Sequence, residues 1–419
     1  MRLLKPLLLV IFTALVLFPL ASLSYRQASP PTDYALELVR IQKDIAELEA
    51  KAFTPPVDID QTLKFLHRVY HRAQLTGGAA DLQATQAAID RAFRELGPLA
   101  GLYLLKANLD YKLHRLNQAN QDLAPLSQFA GDPRIVVLRA GIDFQQGRYE
   151  AAKMGYLSAV ENSFTWDNLA RLAYWQGKFG DPDLADRLYR QAEEEISAKE
   201  MRAYAWVKLQ RGLLDLNRGR YEEAMAHYRQ AGKAYSGYWL VDEYLAELLG
   251  ATKKYDAAAA LYESVVVRAP LPELYQRLGD LYLFMGKPER AKPWHNKALA
   301  GYLDSAALGE VNYYHHLAGF YADVRGDGAE AVQWAEKDLA LRSNFATQDA
   351  LAWGLYRAGR FEEAYKISRT ALASGVKDAH LLFHASMIHL AAGRTDAGKD
   401  LLKKAGEINP GYENFHAHR

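Results

Sequence analysis

The chain has 419 residues, half of them apolar, and its 51 lysines and arginines face 50 acidic residues for a net charge of +1. That balance leaves no basic excess for nucleic-acid binding and no acidic excess for a cation-rich partner. With no cysteine in the sequence, a lipobox, disulfides, Cys-ligated zinc and thiol nucleophiles are all excluded, so stability must come from packed side chains even in an oxidising compartment.

Residues 1–24 differ in kind from the rest. Arg2 and Lys5 precede an uncharged run from Pro6 to Ser24, the layout of an export signal: a basic start, an apolar stretch, then small residues. Two readings stay open here, a cleaved signal peptide and an uncleaved N-terminal membrane anchor, since the run is long enough to span a bilayer. Either places the remainder outside the cytoplasm, in the periplasm or held at the inner membrane and facing it. No other membrane contact is expected. Residues 25–58 form a linker and an N-terminal helix: the Pro-containing stretch SYRQASPPTD, then Tyr34, Leu38, Ile41, Ile45 and Leu48 at spacings of four and three. Such a helix can pack on whatever follows or form a short coiled coil.

From residue 59 to 412 one unit recurs. Its clearest copy is PELYQRLGDLYLFMGKPERAKPWHNKALAGYLDS, residues 272–305. Tyr275, Leu278, Gly279 and Tyr282 mark one helix, and Ala291, His295 and Ala298 a second one after Gly286. Small residues at such positions let two antiparallel helices approach closely. The small residue of the second helix serves as a ruler, falling at Ala88, Ala119, Ala152, Ala185, Ala224, Ala258, Ala291, Ala331, Ala364 and Gly398. A near-constant period means one type of unit repeated, with local insertions where the gap widens after Ala185 and Ala291. The first widening reads as a second helix extended through RQAEEEISAKEM, the next as a longer join at AGYLDSAALGE. Residues 413–419 remain as a tail; either Tyr412 and Phe415 fold back over the last hairpin, or a partner covers that end.

These positions resemble the tetratricopeptide repeat (TPR) family. Trp166, Leu169, Ala170, Ala185, Tyr189 and Ala192 match in one unit, and Gly219, Tyr221, Ala224, Tyr228 and Ala231 in another. The resemblance implies an all-α, right-handed α-solenoid superhelix of about ten hairpins, whose concave face is lined by the first helix of each pair. It also implies a non-catalytic scaffold that binds protein or peptide segments in that groove. On the groove-lining face fall Tyr111, Phe144, Tyr174, Trp175, Phe320, Trp353 and Tyr356, with the acids Glu243, Glu247 and Asp280 in the middle units. Aromatic platforms around an acidic stretch suit a peptide carrying apolar and basic residues, or a glycan stacked on the rings. The expected function is an exported scaffold of the bacterial envelope; the alternative is a glycan-binding accessory factor in polysaccharide export or assembly.

Little in the sequence supports catalysis. No Gly-rich phosphate loop follows a strand and no G-x-S-x-G occurs. His67 and His71, and His380 and His384, stand four apart with His389 nearby, but neither pair has a third donor in its local sequence. His416 and His418 in the tail are the distant candidates. The expectation is therefore no catalytic residues, no cofactor and no metal.

Overall fold

The computed structural model describes residues 30–417; the expected leader at residues 1–24 lies outside them. Among the described residues no helix is long and apolar enough to cross a membrane, and every regular element is helical. Helix α1 (Asp33–Ala52) precedes ten hairpins. These are α2/α3 (Ile59–Thr76, Ala79–Leu96), α4/α5 (Ala100–Lys112, Leu116–Leu123), α6/α7 (Pro133–Gln145, Tyr149–Asn162), α8/α9 (Trp166–Phe179, Pro182–Glu195) and α10/α11 (Met201–Leu216, Tyr221–Ala234). The array continues with α12/α13 (Trp239–Ala251, Tyr255–Arg268), α14/α15 (Pro272–Phe284, Pro288–Ala307), α16/α17 (Tyr314–Gly319, Gly328–Leu341), α18/α19 (Phe345–Arg357, Phe361–Ala373) and α20/α21 (Ala379–Ala391, Thr395–Ile408). A π-helical turn at Phe320–Arg325 prolongs α16.

The hairpins share a turn. In seven of them a backbone N–H reaches the carbonyl five residues back: Arg115 to Asp110, Arg148 to Asp143, Arg220 to Asp215, Lys254 to Leu249, Lys287 to Tyr282, Arg360 to Leu355 and Arg394 to His389. This is the Schellman closure of a helix, which requires a left-handed residue just before the donor. Glycine fills that place five times; His114 and Lys253 adopt positive φ in the other two.

Each hairpin buries the small residue of its second helix. Ala119, Ala152, Ala185, Ala224, Ala258, Ala331 and Ala364 have no exposed surface, and Ala291 has 2%. On the first helix the small residues make room for a ring: a Cβ on Gly212 would run into the Tyr228 ring, and one on Gly279 into His295. The ruler slips in one place. Ala88 is only half-buried, whereas Thr85 has no exposed surface and donates its hydroxyl to the Asp81 carbonyl at 2.8 Å. Because a threonine can satisfy its own hydroxyl within the helix, it substitutes for the alanine there.

Two insertions are built differently from the expectation. Helix α9 ends at Glu195 and a non-helical stretch leads into α10, so RQAEEEISAKEM is not one helix; the second widening is itself helical, because α15 runs on through Ala307. Both differences turn on where a helix stops, which periodicity marks poorly. Helix α1 packs on α2 through Ile41 and Ile45, as the packed-helix reading has it.

The array closes on itself. At several points the chain returns to touch its first half after 164 to 203 residues. Tyr34 N–H donates to the Ser236 carbonyl at 3.1 Å, and Trp239 Nε1 to the Leu75 carbonyl at 3.3 Å. Asn344 Nδ2 donates to the Gln145 carbonyl at 3.2 Å, and Phe345 N–H to the Tyr149 hydroxyl at 2.7 Å. Lys178 pairs with Asp378 at 2.8 Å, a separation of 200 residues. In each case the hairpin turns of the first half, with the start of α1, meet loops between hairpins of the second half. The contact is close at Gly147, where an added Cβ would sit roughly 1 Å inside van der Waals contact of the Ser343 carbonyl. The tail completes this seam. Tyr412 does pack on the last hairpin, against Phe383, but Phe415 instead buries itself against Phe284 and Gly250, and Ala417 N–H donates to Glu247.

Candidate functional site

Where the two halves stack, a lumen partly open to solvent lies between them, walled mainly by first helices. It holds two adjoining cavities, of about 1000 Å³ and about 460 Å³, which share Tyr174, Tyr189 and Gln210 as walls. On α8, Trp166, Ala170 and Tyr174 stand at four-residue spacing, and on α10 so do Arg202, Trp206 and Gln210; all six line the larger cavity. That spacing is one stripe of a helix. The Trp166 and Trp206 rings meet edge to face, 6.1 Å apart.

The ten residues expected to line a groove divide evenly. Tyr111 and Phe144 line the larger cavity, Tyr174 both, and Glu247 and Trp353 the smaller. The other five line neither. Trp175 is 5% exposed and donates its Nε1 to the Tyr149 carbonyl at 3.0 Å. Phe320 is wholly buried against Tyr302 and His295. Tyr356 stacks on the far side of Trp353, 4.8 Å away. Glu243 is wholly buried in an ion pair with Arg277 at 2.6 Å, and Asp280 holds His295 Nε2 at 2.8 Å. Even Glu247, which does reach a cavity, accepts the Ala417 N–H at 3.0 Å. The middle acids therefore knit the scaffold together, and the acidic groove expected for a basic peptide is not formed.

Two cations that line the larger cavity make no ion pair among the described residues. Arg171 lines the larger cavity, makes no hydrogen bond or ion pair among the described residues, and has a buried Nε. Lys112 lines it too, likewise without an ion pair; burial pushes its amine below the usual value, with Glu273 opposing. Glu273 lines the cavity as well, with one carboxylate oxygen unpartnered and a pKa raised chiefly by burial. Neither Arg171 nor Lys112 was marked by the sequence as a site residue. For Arg171 the stripe through Trp166 and Tyr174 was the available signal.

In the smaller cavity the histidines of α20 gain what their local sequence lacks. Asp349, on α18 and 35 residues before His384, brings Oδ2 to 2.9 Å from His384 Nδ1. One donor atom from each of Asp349, His380 and His384 lies within 4.8 Å of the others. The Trp353 indole lies flat on His384, ring centres 3.9 Å apart and planes 5° apart, and its Nε1 is held by Asp323 at 2.9 Å. His416 arrives from the tail with its ring 4.6 Å from that of His380. The other pair has no such convergence, since His71 Nε2 instead stands 3.2 Å from Glu37 Oε1. Hydrogen bonds from His71 and Tyr235, with the Arg202 charge, outweigh burial and hold the Glu37 carboxyl down to about 2.

Residues 272–300 match the family model described as "Tetratricopeptide repeat", so α14 and the start of α15 form a TPR hairpin, and the flanking hairpins repeat its turn and its buried small residue. No curated protein sequence matches the chain. Among solved structures, a human IFIT1 dimer with PPP-AAAA is similar at 12% identity and a TM-score of 0.45, covering 89% of this chain and 88% of that one. Yeast Tom70 gives 12% identity and 0.41 over 89% and 92%. A tetratricopeptide repeat protein from Parabacteroides merdae ATCC 43184 gives 16% and 0.37 over 70% and 99%. TPR-like arrays are generally scaffolds that present an extended concave surface to a partner.

Proposed function

We propose that this TPR chain is a non-catalytic scaffold whose lumen binds an extended, carboxylate-bearing segment of a partner protein. The observation that carries the reading is the pair of cations, Arg171 and Lys112, that line an aromatic-walled cavity without an ion pair. A carboxylate entering the lumen would pair with a desolvated guanidinium in the geometry that arginine favours, while Trp166, Trp206 and Tyr174 supply apolar and stacking surface. The expected preference for basic peptides is thereby reversed, because the acids that suggested it are engaged within the scaffold.

The site of action belongs to the same proposal: export to a bacterial envelope, with the chain periplasmic or tethered at the inner membrane. Its support is the basic start and apolar run of residues 1–24. A phosphatase fusion after residue 32 that stays inactive would remove the export half of the proposal.

A photo-crosslinking residue at Gln210, the wall shared by both cavities, tests the binding half in intact cells. The expected result is one dominant polypeptide crosslinked through an acidic segment, lost in Arg171→Glu and retained in Arg171→Lys. Crosslinking unaffected by Arg171→Glu would refute lumenal carboxylate recognition. Recovery of a saccharide without stoichiometric protein would favour the glycan-binding factor instead.

A further inference from the structure

The wall of the smaller cavity joins three imidazoles and a carboxylate from three parts of the chain, and the chemistry of that set points to a ligand other than a peptide. His380 and His384 stand one turn apart on α20, which puts both rings on one face. Asp349 reaches across from α18 and brings Oδ2 to 2.9 Å from His384 Nδ1, near enough for one ion to take both atoms. The Trp353 indole, clamped by Asp323 and backed by Tyr356, forms a stack that fixes the plane of the His384 ring. Such locking of a donor's orientation is what a metal site requires of its surroundings. His416 comes from the tail with its ring 4.6 Å from that of His380 and its Nδ1 3.3 Å from the Asn414 carbonyl oxygen.

We infer that Asp349, His380 and His384 form a binding site for a divalent transition-metal ion, with His416 of the C-terminal tail as a further donor. Two or three imidazoles with one carboxylate suit zinc and its borderline neighbours, whereas magnesium and calcium require mostly oxygen donors. In a tetrahedral site with bonds of ~2.1 Å the donors stand about 3.4 Å apart. The donor atoms already lie within 4.8 Å of one another, a difference that rotation of the half-buried His380 side chain can close. The ion supplies a reason for the tail's course. Phe415 is buried against α12 and α14, and Ala417 is tied to Glu247, so an ion held jointly by α18, α20 and His416 pins the tail across the seam. The site is independent of what occupies the larger cavity.

Titration of the full chain with Zn2+, after stripping with a chelator, is expected to show roughly one equivalent bound with a Kd on the order of 10⁻⁶ M or tighter. The melting temperature is expected to rise by roughly 5 °C in excess zinc. His380→Ala and Asp349→Asn should each weaken binding about 10- to 100-fold, and His416→Ala should do so less strongly. X-ray absorption on the zinc-loaded wild-type chain keeps the test independent of how the variants fold, and two or three imidazoles in the first shell are expected. A shell of oxygens alone, or binding that survives His380→Ala but is lost in His71→Gln, would overturn the assignment. So would the absence of saturable binding.

Discussion

The seam between the two halves can be broken by a single methyl group, and the chain supplies its own control. Gly147 and Gly359 occupy the same turn position with the same φ of 75°, yet a Cβ on Gly359 meets nothing within 4 Å while one on Gly147 drives into the Ser343 carbonyl. Alanine at either position carries the left-handed backbone penalty, about 1–2 kcal/mol. Only Gly147→Ala must also push the halves apart, straining the Asn344-to-Gln145 and Phe345-to-Tyr149 hydrogen bonds. Two such bonds at ~1 kcal/mol each, with the local overpacking, give an extra cost of about 2–4 kcal/mol. Native-state hydrogen exchange is the assay of choice, because in a repeat array local opening is better defined than a single global unfolding energy. The Phe345 amide belongs to the first turn of α18 and has no intrahelical acceptor, so its protection reports the seam directly. Gly147→Ala should reduce that protection roughly 30- to 1000-fold at ~1.4 kcal/mol per decade, and Gly359→Ala should leave it unchanged. Equal effects of the two substitutions would refute the stacking of the halves.

Three further outcomes follow from buried groups. Lys178→Met strands Asp378 and should cost about 2–4 kcal/mol, whereas Asp378→Asn keeps the oxygen that caps α20 through the His380 and Leu381 amides; a double-mutant cycle in urea should give a coupling of about 1.5–3 kcal/mol. Against burial, the Lys178 charge holds the Asp378 carboxyl below its usual range and Asp378 holds the Lys178 amine above its own. The coupling is thus present above the unfolded Asp value and below the unfolded Lys value, and a cycle that varies between pH 5 and 9 would contradict the pairing. Asp215 behaves oppositely: burial and then the Asp186 charge push its carboxyl up to about 6, so ionisation disfavours the folded state as pH rises from about 4 through 6. Asp215→Asn should therefore gain roughly 1–2.5 kcal/mol at pH 7.5 and nothing near pH 4; a gain independent of pH would exclude this cause. Trp175→Ala, with the ring in the core, should cost about 3–5 kcal/mol in thermal or urea denaturation; a variant of unchanged stability would restore Trp175 to the surface.

The repeat was legible because each unit needs the same two things, a residue able to turn left-handed and a small one where helices press together. Both are visible as residue types at fixed spacing. Thr85 escaped because its size and chemistry do not announce that role. The lumen face was harder to read. First helices such as α12, WLVDEYLAELLGA, are buried on several sides by their own hairpin and by both neighbours. Apolar periodicity then no longer singles out one face, so Tyr174 and Trp175, adjacent in sequence and about 100° apart around the helix, both read as groove residues. Only Tyr174 is one. The acids failed for a related reason: Glu243 finds Arg277 one hairpin later, a pairing that depends on how neighbouring units rotate. The seam was not legible at all. Its bonds join Gln145 to Asn344 and Lys178 to Asp378, and locally Asn344 and Asp378 show only the helix-cap signature they also satisfy.

Closure changes what binding has to do. In an open superhelix a partner segment lies down in a groove made by one run of hairpins, whereas here both halves of the chain wall the cavity it enters. Arg171 and Trp206 come from the first half of the chain, while Glu273 and Tyr313, on the same cavity wall, come from the second. A ligand that touches both halves therefore binds the closed form in preference to the parted one. Linkage then requires it to stabilise the closed form by RT ln(1 + [L]/Kd), about 2.7 kcal/mol at a hundredfold excess over Kd. The Phe345 amide, released only when the seam parts, should gain nearly a hundredfold in protection under that load, provided exchange there still occurs through local opening. A partner that protects helix amides elsewhere but leaves Phe345 unchanged is bound outside the lumen, and the lumenal reading fails with it.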